Sequence, residues 1–139
     1  MESDQTGQQT NGANQNRIDY DLGSGNDHFT GTGTNIDVVH GGDGNDTLNG
    51  GGGSDTLTGG ADADVFVFES GDGTTNYVTD YQDGVDQIDL SGAAGLNNFA
   101  DILANMTQVG ADVQIVEGTT TIRLVNVNIA VIDASDFLF

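Results

Sequence analysis

A chain of 139 residues has room for one domain or two small ones. Only Arg17 and Arg123 are basic, against 22 acidic residues, and the resulting net charge of −20 repels nucleic acid and anionic lipid and attracts cations. The lack of cysteine excludes disulfides and C-x-x-C zinc sites, and no apolar run is long enough to insert into a membrane.

The N-terminal stretch "MESDQTGQQTNGANQNR" has neither a basic n-region nor an apolar h-region, so it is not a secretory signal peptide. Residues 1–16 are polar and free of aromatics and read as a disordered arm. A register then begins. "TGTNIDVVH" (32–40), "GGDGNDTLN" (41–49), "GGGGSDTLT" (50–58) and "GGADADVFV" (59–67) place Asp37, Asp46, Asp55 and Asp64 at the sixth position. Val39, Leu48, Leu57 and Phe66 stand at the eighth. "GSGNDHFTG" (23–31) is an earlier copy, shifted by one residue, with Asp27 and Phe29. Flexible Gly- and Asp-rich sequence does not explain so strict a period.

Glycine admits positive φ and close backbone approach, so the first half of each block is a turn. The last three residues extend as a short strand, with the eighth pointing inward and its neighbours, Thr47, Asn49, Thr56 and Thr58, pointing outward. Strands this short must stack on copies of themselves. Stacking brings equivalent turns to about 4.8 Å apart, and bare carboxylates at that spacing repel. Ca²⁺ takes oxygen ligands at about 2.3–2.6 Å, so one ion fits between two stacked turns, completed by backbone carbonyls. Mg²⁺ demands a tighter octahedron, and Zn²⁺ favours nitrogen and sulfur ligands that are scarce here.

"GGDGNDTLN" resembles the G-G-x-G-x-D-x-U-x nonapeptide of RTX (repeats-in-toxin) proteins. The resemblance implies a mainly β fold, a right-handed parallel β-roll with two nonapeptides per coil. Turns two blocks apart then share an ion, pairing Asp27 with Asp46, Asp46 with Asp64, and Asp37 with Asp55. The implied metal-ligating set is these five aspartates with the turn residues Gly42, Gly44, Gly51, Gly53, Gly60 and Asp62. It would hold several calcium ions, about three to five.

In "DVFVF", Val65, Val67 and Phe68 occupy formerly polar positions, which predicts a strand covered on both faces, with the next segment of the chain packed over it. "NYVTDYQDGVDQIDLSG" (76–92) resembles the junction after RTX repeats, V-x-D-F-x-x-G-x-D-x-I-D-L, with Tyr81 where Phe is common. By that resemblance Asp80 and Asp86 bind a further Ca²⁺; the alternative is that they are solvated turn acids. "NNFADILANM" (97–106) predicts a short helix capped by Asn98, with Phe99, Ile102, Leu103 and Met106 facing the core. "DVQIVEGTTTIRLVN" predicts a hairpin setting Val113 and Ile115 against Ile122 and Leu124. The ending "SDFLF" resembles the uncleaved C-terminal signal of bacterial type I secretion substrates, and reads equally as a final strand.

The expected organisation is an arm (1–16), a calcium-binding β-roll (17–75) and a small α+β cap with a β-hairpin and the secretion signal (76–139). His28 and His40 fall at outward positions and read as surface residues. Zincin, nucleophile-elbow, P-loop and EF-hand patterns are missing from the sequence, and the repeated acids are better explained as ion ligands than as a catalytic pair. Three aligned threonines make too short a face for ice binding. The expected function is a non-catalytic module that folds on Ca²⁺ outside a bacterial cell. It would serve a larger protein exported by a type I secretion apparatus. The alternative is a module that binds polysaccharide or a surface, against which the charge of −20 counts if the ligand is anionic.

Overall fold

A computed structural model describes the backbone of residues 10–11 and the whole of residues 17–71 and 75–139. The strands are β1 (Thr10–Asn11), β2 (Arg17–Asp21), β3 (His28–Thr30), β4 (Ile36–Asp43), β5 (Thr47–Asn49), β6 (Thr56–Ala61), β7 (Val65–Glu69), β8 (Thr75–Val78) and β9 (Gln87–Gly92). Helix α1 (Phe99–Asn105), β10 (Met106–Val109), β11 (Asp112–Glu117), β12 (Thr120–Leu124) and β13 (Phe137–Leu138) complete the order. Most of the expected arm lies outside the described residues; Thr10–Asn11 pair antiparallel with β2.

Successive strands alternate between two sheets. β2, β4, β6 and β8 pair in parallel in one, and β3, β5, β7 and β9 in the other. Two strands per coil is the parallel β-roll that the nonapeptide implied. The ladders do not stop at residue 75, since β8 and β9 form a further coil. The remainder then closes both sheets: β12 pairs in parallel with β8, followed antiparallel by β11 and β10, and β13 pairs in parallel with β9. Neither β8 nor β9 is left with an open edge, which would otherwise template pairing with other chains.

The eighth-position residues build the core. Val39, Leu57, Val78 and Leu124 are in register in one sheet, and Phe29, Leu48, Phe66, Ile88 and Phe137 in the other. All are buried. Each strand of the roll contributes a narrow row, so burial per coil is small, at about 1.5–3 kcal/mol per large side chain.

Asn98 caps α1, its side chain accepting from the Asp101 backbone N–H at 3.1 Å. Ile102 is fully buried, but Leu103 is 55% exposed, contrary to expectation. The helix has only seven residues and Met106 already belongs to β10, so the apolar face is narrower than the spacing suggested. Val65 and Val67 are only half-buried, so the outer face of β7 is not covered as expected. The hairpin forms with Val113 opposite Leu124 and Ile115 opposite Ile122. Among the described residues, no helix is long and apolar enough to cross a membrane.

Candidate metal centre

The parallel ladders bring the repeated acids into two columns, one on each side of the roll. On the first side the Asp27 N–H donates to Asp46 Oδ1 at 2.8 Å, the Asp46 N–H to Asp64 Oδ1 at 2.9 Å, and the Asp64 N–H to Asp86 Oδ1 at 3.0 Å. On the second the Asp37 N–H donates to Asp55 Oδ1 at 2.8 Å, and the Asp55 N–H to Asn76 Oδ1 at 2.9 Å. The aspartates of both columns are at most 4% exposed.

The turns between them are made of left-handed backbone. Gly42, Gly44, Gly51, Gly53 and Gly60 all have positive φ, and Asp62, with φ of 74°, takes the place held by Gly44 and Gly53 in the preceding blocks. The packing leaves no room for side chains. A Cβ on Gly41 would lie 2.2 Å from Asp46 Oδ2 and 2.5 Å from the carbonyl oxygen of Gly59, one coil away. Carboxylate and carbonyl oxygens of different turns thus converge beside the bare Cα.

Asp37 Oδ1, Asp46 Oδ2 and Asp64 Oδ2 are buried and accept no hydrogen bond. A buried carboxylate without compensation is costly. Neither basic residue is committed to the columns: Arg17 Nε pairs with Asp19 at 2.8 Å and Arg123 Nε with Asp112 at 3.0 Å. Burial pushes the Asp64 carboxyl up to about 7, with the charges of Asp86, Asp46 and Asp80 adding to the rise. Burial likewise raises Asp37, Asp46 and Asp86. An all-oxygen set of carboxylates and glycine carbonyls, with orphaned buried oxygens, fits a hard cation of the Ca²⁺ type.

Asp80 and Asp86 take different places. Asp86 continues the first column and also accepts from the Gln82 N–H at 2.8 Å. Asp80 lies across the turn, accepting from Gly59 N–H at 2.9 Å and Gly60 N–H at 2.8 Å. His28 and His40 are exposed.

Several residues escape a reading of the sequence. Asn76 holds a column position 21 residues after Asp55, where the nine-residue period has already lapsed. Asn26 and Asn45 form an outer ladder, accepting from the backbone of Asn45 and Ala63 at 2.9 and 3.0 Å. The Tyr81 hydroxyl donates to Asp136 Oδ1 at 2.5 Å, and Asp136 is 1% exposed. Burial first, then the Asp136 carboxylate, holds the Tyr81 hydroxyl well above its usual range, so it remains a donor. Tyr81→Phe would strand that carboxylate oxygen. Denaturant unfolding in saturating Ca²⁺ should show a loss of about 1.5–3 kcal/mol, the usual worth of a hydrogen bond to a charged group.

Fold and columns together define a parallel repeat protein whose stacked turns carry columns of buried carboxylates suited to a hard cation. The profile of the RTX calcium-binding nonapeptide repeat (4 copies) matches residues 21–57, 31–66 and 40–74. Residues 21–74 thus carry RTX calcium-binding nonapeptide repeats, stacked as a parallel β-roll. No curated protein matches the chain in sequence. Among solved structures it is similar to extracellular lipase LipA from Serratia marcescens, at 21% identity and TM-score 0.58, over 84% of this chain and 20% of the lipase. It is also similar to the AlgE6R3 subunit of the mannuronan C5-epimerase of Azotobacter vinelandii, at 23% identity and TM-score 0.61, over 98% of this chain and 86% of that one. Both likenesses are of fold. The chain spans about a fifth of the lipase's length.

Proposed function

We propose that this chain is a non-catalytic module that folds when calcium enters its two aspartate columns, and that it serves a larger protein exported from a bacterial cell. The carrying observation is the pair of buried carboxylate columns to which no arginine is committed. The proposed ligands are Asp27, Asp46, Asp64 and Asp86 on one side and Asp37 and Asp55 on the other. Carbonyls of the intervening turns, including Gly42, Gly44, Gly51, Gly53, Gly60 and Asp62, complete the sets. When bound, Ca²⁺ supplies charge neutralisation and cross-links successive turns.

Inside a cell, where free calcium is scarce, the like charges and narrow core leave the roll unable to hold together. Outside, sites with Kd of about 10⁻⁴–10⁻³ M fill. Each contributes about 2.7 kcal/mol when the ion reaches 100 times its Kd, and stacking couples them. "SDFLF" is the proposed type I secretion signal. Its resemblance supports this, as does the exposure of Leu138 and Phe139. Removing those five residues from an exported fusion should abolish export.

Circular dichroism and thermal melting in chelator against millimolar Ca²⁺ test the central claim. A cooperative gain of β signal with Ca²⁺, not reproduced by Mg²⁺, is expected; superimposable curves refute it.

A second reading, a polysaccharide-binding module, draws on the likeness to the mannuronan epimerase subunit. The net charge of −20 and the engagement of both arginines by aspartates weigh against a polyanionic ligand. Saturable, calcium-dependent heat on titration with polymannuronate would favour it.

A further inference from the structure

We propose that Asn76 terminates the ion-binding column on the second side of the roll, so that the gap between the Asp55 and Asn76 coils takes no calcium. The inference rests on the calcium reading of the columns. On the first side the acids run Asp27, Asp46, Asp64, Asp86. On the second they run Asp37, Asp55, and then an amide. Beyond it the ladder neighbour of Asn76 is Ile122, itself buried. The column passes from carboxylate to amide to hydrocarbon.

The amide's orientation is set by its partner. The Asp55 N–H must meet an acceptor, so the Asn76 oxygen faces it at 2.9 Å and the NH₂ group is turned the other way. Asp46 and Asp64 make the same bond with Oδ1 and leave Oδ2 buried without a hydrogen bond. Asn76 is 1% exposed, and its Nδ2 also has no hydrogen-bond partner. Where the aspartates offer a cation an oxygen, Asn76 presents two N–H donors, which repel it. Asn76 therefore does the structural half of the aspartate's work, holding the preceding coil, while declining the metal. A carboxylate here, next to Ile122, would be a buried charge that only an added ion could neutralise.

Native mass spectrometry of the full chain at saturating Ca²⁺ tests this by counting ions. Asn76→Asp should hold one ion more than the parent and should melt at lower temperature than the parent in chelator. Equal counts in the two proteins overturn the proposal, whereas a parent that holds no calcium overturns the reading beneath it. Should Asn76→Asp fail to fold, two other variants decide. Asp64 stands between two acid-bearing coils, but Asp55 has only one such neighbour. Asp64→Asn should therefore lose two ions and Asp55→Asn only one; a loss of two from Asp55→Asn overturns the proposal.

Discussion

Gly42→Ala is expected to destabilise the calcium-loaded roll by more than about 3 kcal/mol and to move its calcium midpoint upward several-fold. Two effects combine. The residue has φ of 113°, a conformation that costs an L-residue about 1–3 kcal/mol. Its new methyl group would also lie 1.8 Å from the carbonyl oxygen of Gly23. That oxygen is backbone and cannot rotate aside, so the turn of residues 41–46 must lift off the turn beneath it. Lifting opens the gap across which the Asp27 N–H meets Asp46, and with it a proposed ion site. Gly33→Ala is the control. Its φ of 82° carries similar strain, but nothing lies within 4 Å of the added carbon. It should cost only the strain and leave the midpoint nearly unchanged. Calcium titrations followed by circular dichroism, with urea unfolding at saturation, would compare the two. Equal behaviour would mean that the close stacking of turns is not what the glycines serve.

Acid is expected to substitute in part for calcium. The Asp64 carboxyl sits at about 7 in the fold against an ordinary 3.8, and Asp37, Asp46 and Asp86 are raised in the same direction by burial. For a carboxyl raised on folding, the folded state binds the proton more tightly than the unfolded state. Its contribution to the metal-free fold is therefore fully present below 3.8 and is lost as pH rises through about 7. Lowering pH across that window in chelator should restore β structure that is missing at neutrality. Lightening the net charge of −20 acts the same way. With calcium present the sign reverses, because protons and metal compete for the same oxygens. The calcium midpoint should then fall as pH rises from about 5 to 7. A chelator-treated chain equally unstructured at pH 4 and pH 7, with a pH-independent calcium midpoint, would show that the buried carboxyls do not control the fold.

The legible part of the sequence is the part that repeats. Asp46, Asp55 and Asp64 share a period with Leu48, Leu57 and Phe66, and a period of nine with one inward side chain admits few folds. Legibility ends where the coil length changes. The column partner of Asp46 is 18 residues on, but that of Asp55 is 21 on and that of Asp64 is 22 on. Inserted residues hide Asn76 from any search by register. The link between Tyr81 and Asp136 spans 55 residues and carries no local signature at all. Leu103 departs from its helical spacing because a seven-residue helix offers one buried turn, not two.

The strand that seals the second sheet, β13, comes after every other strand of the roll along the chain, and Asp136, the anchor for Tyr81, immediately precedes it. Until that short piece has been synthesised, a nascent molecule has an unfinished rim at β9. Closure of that rim is thus set by position, since the piece that seals it lies far along the chain from the edge it covers.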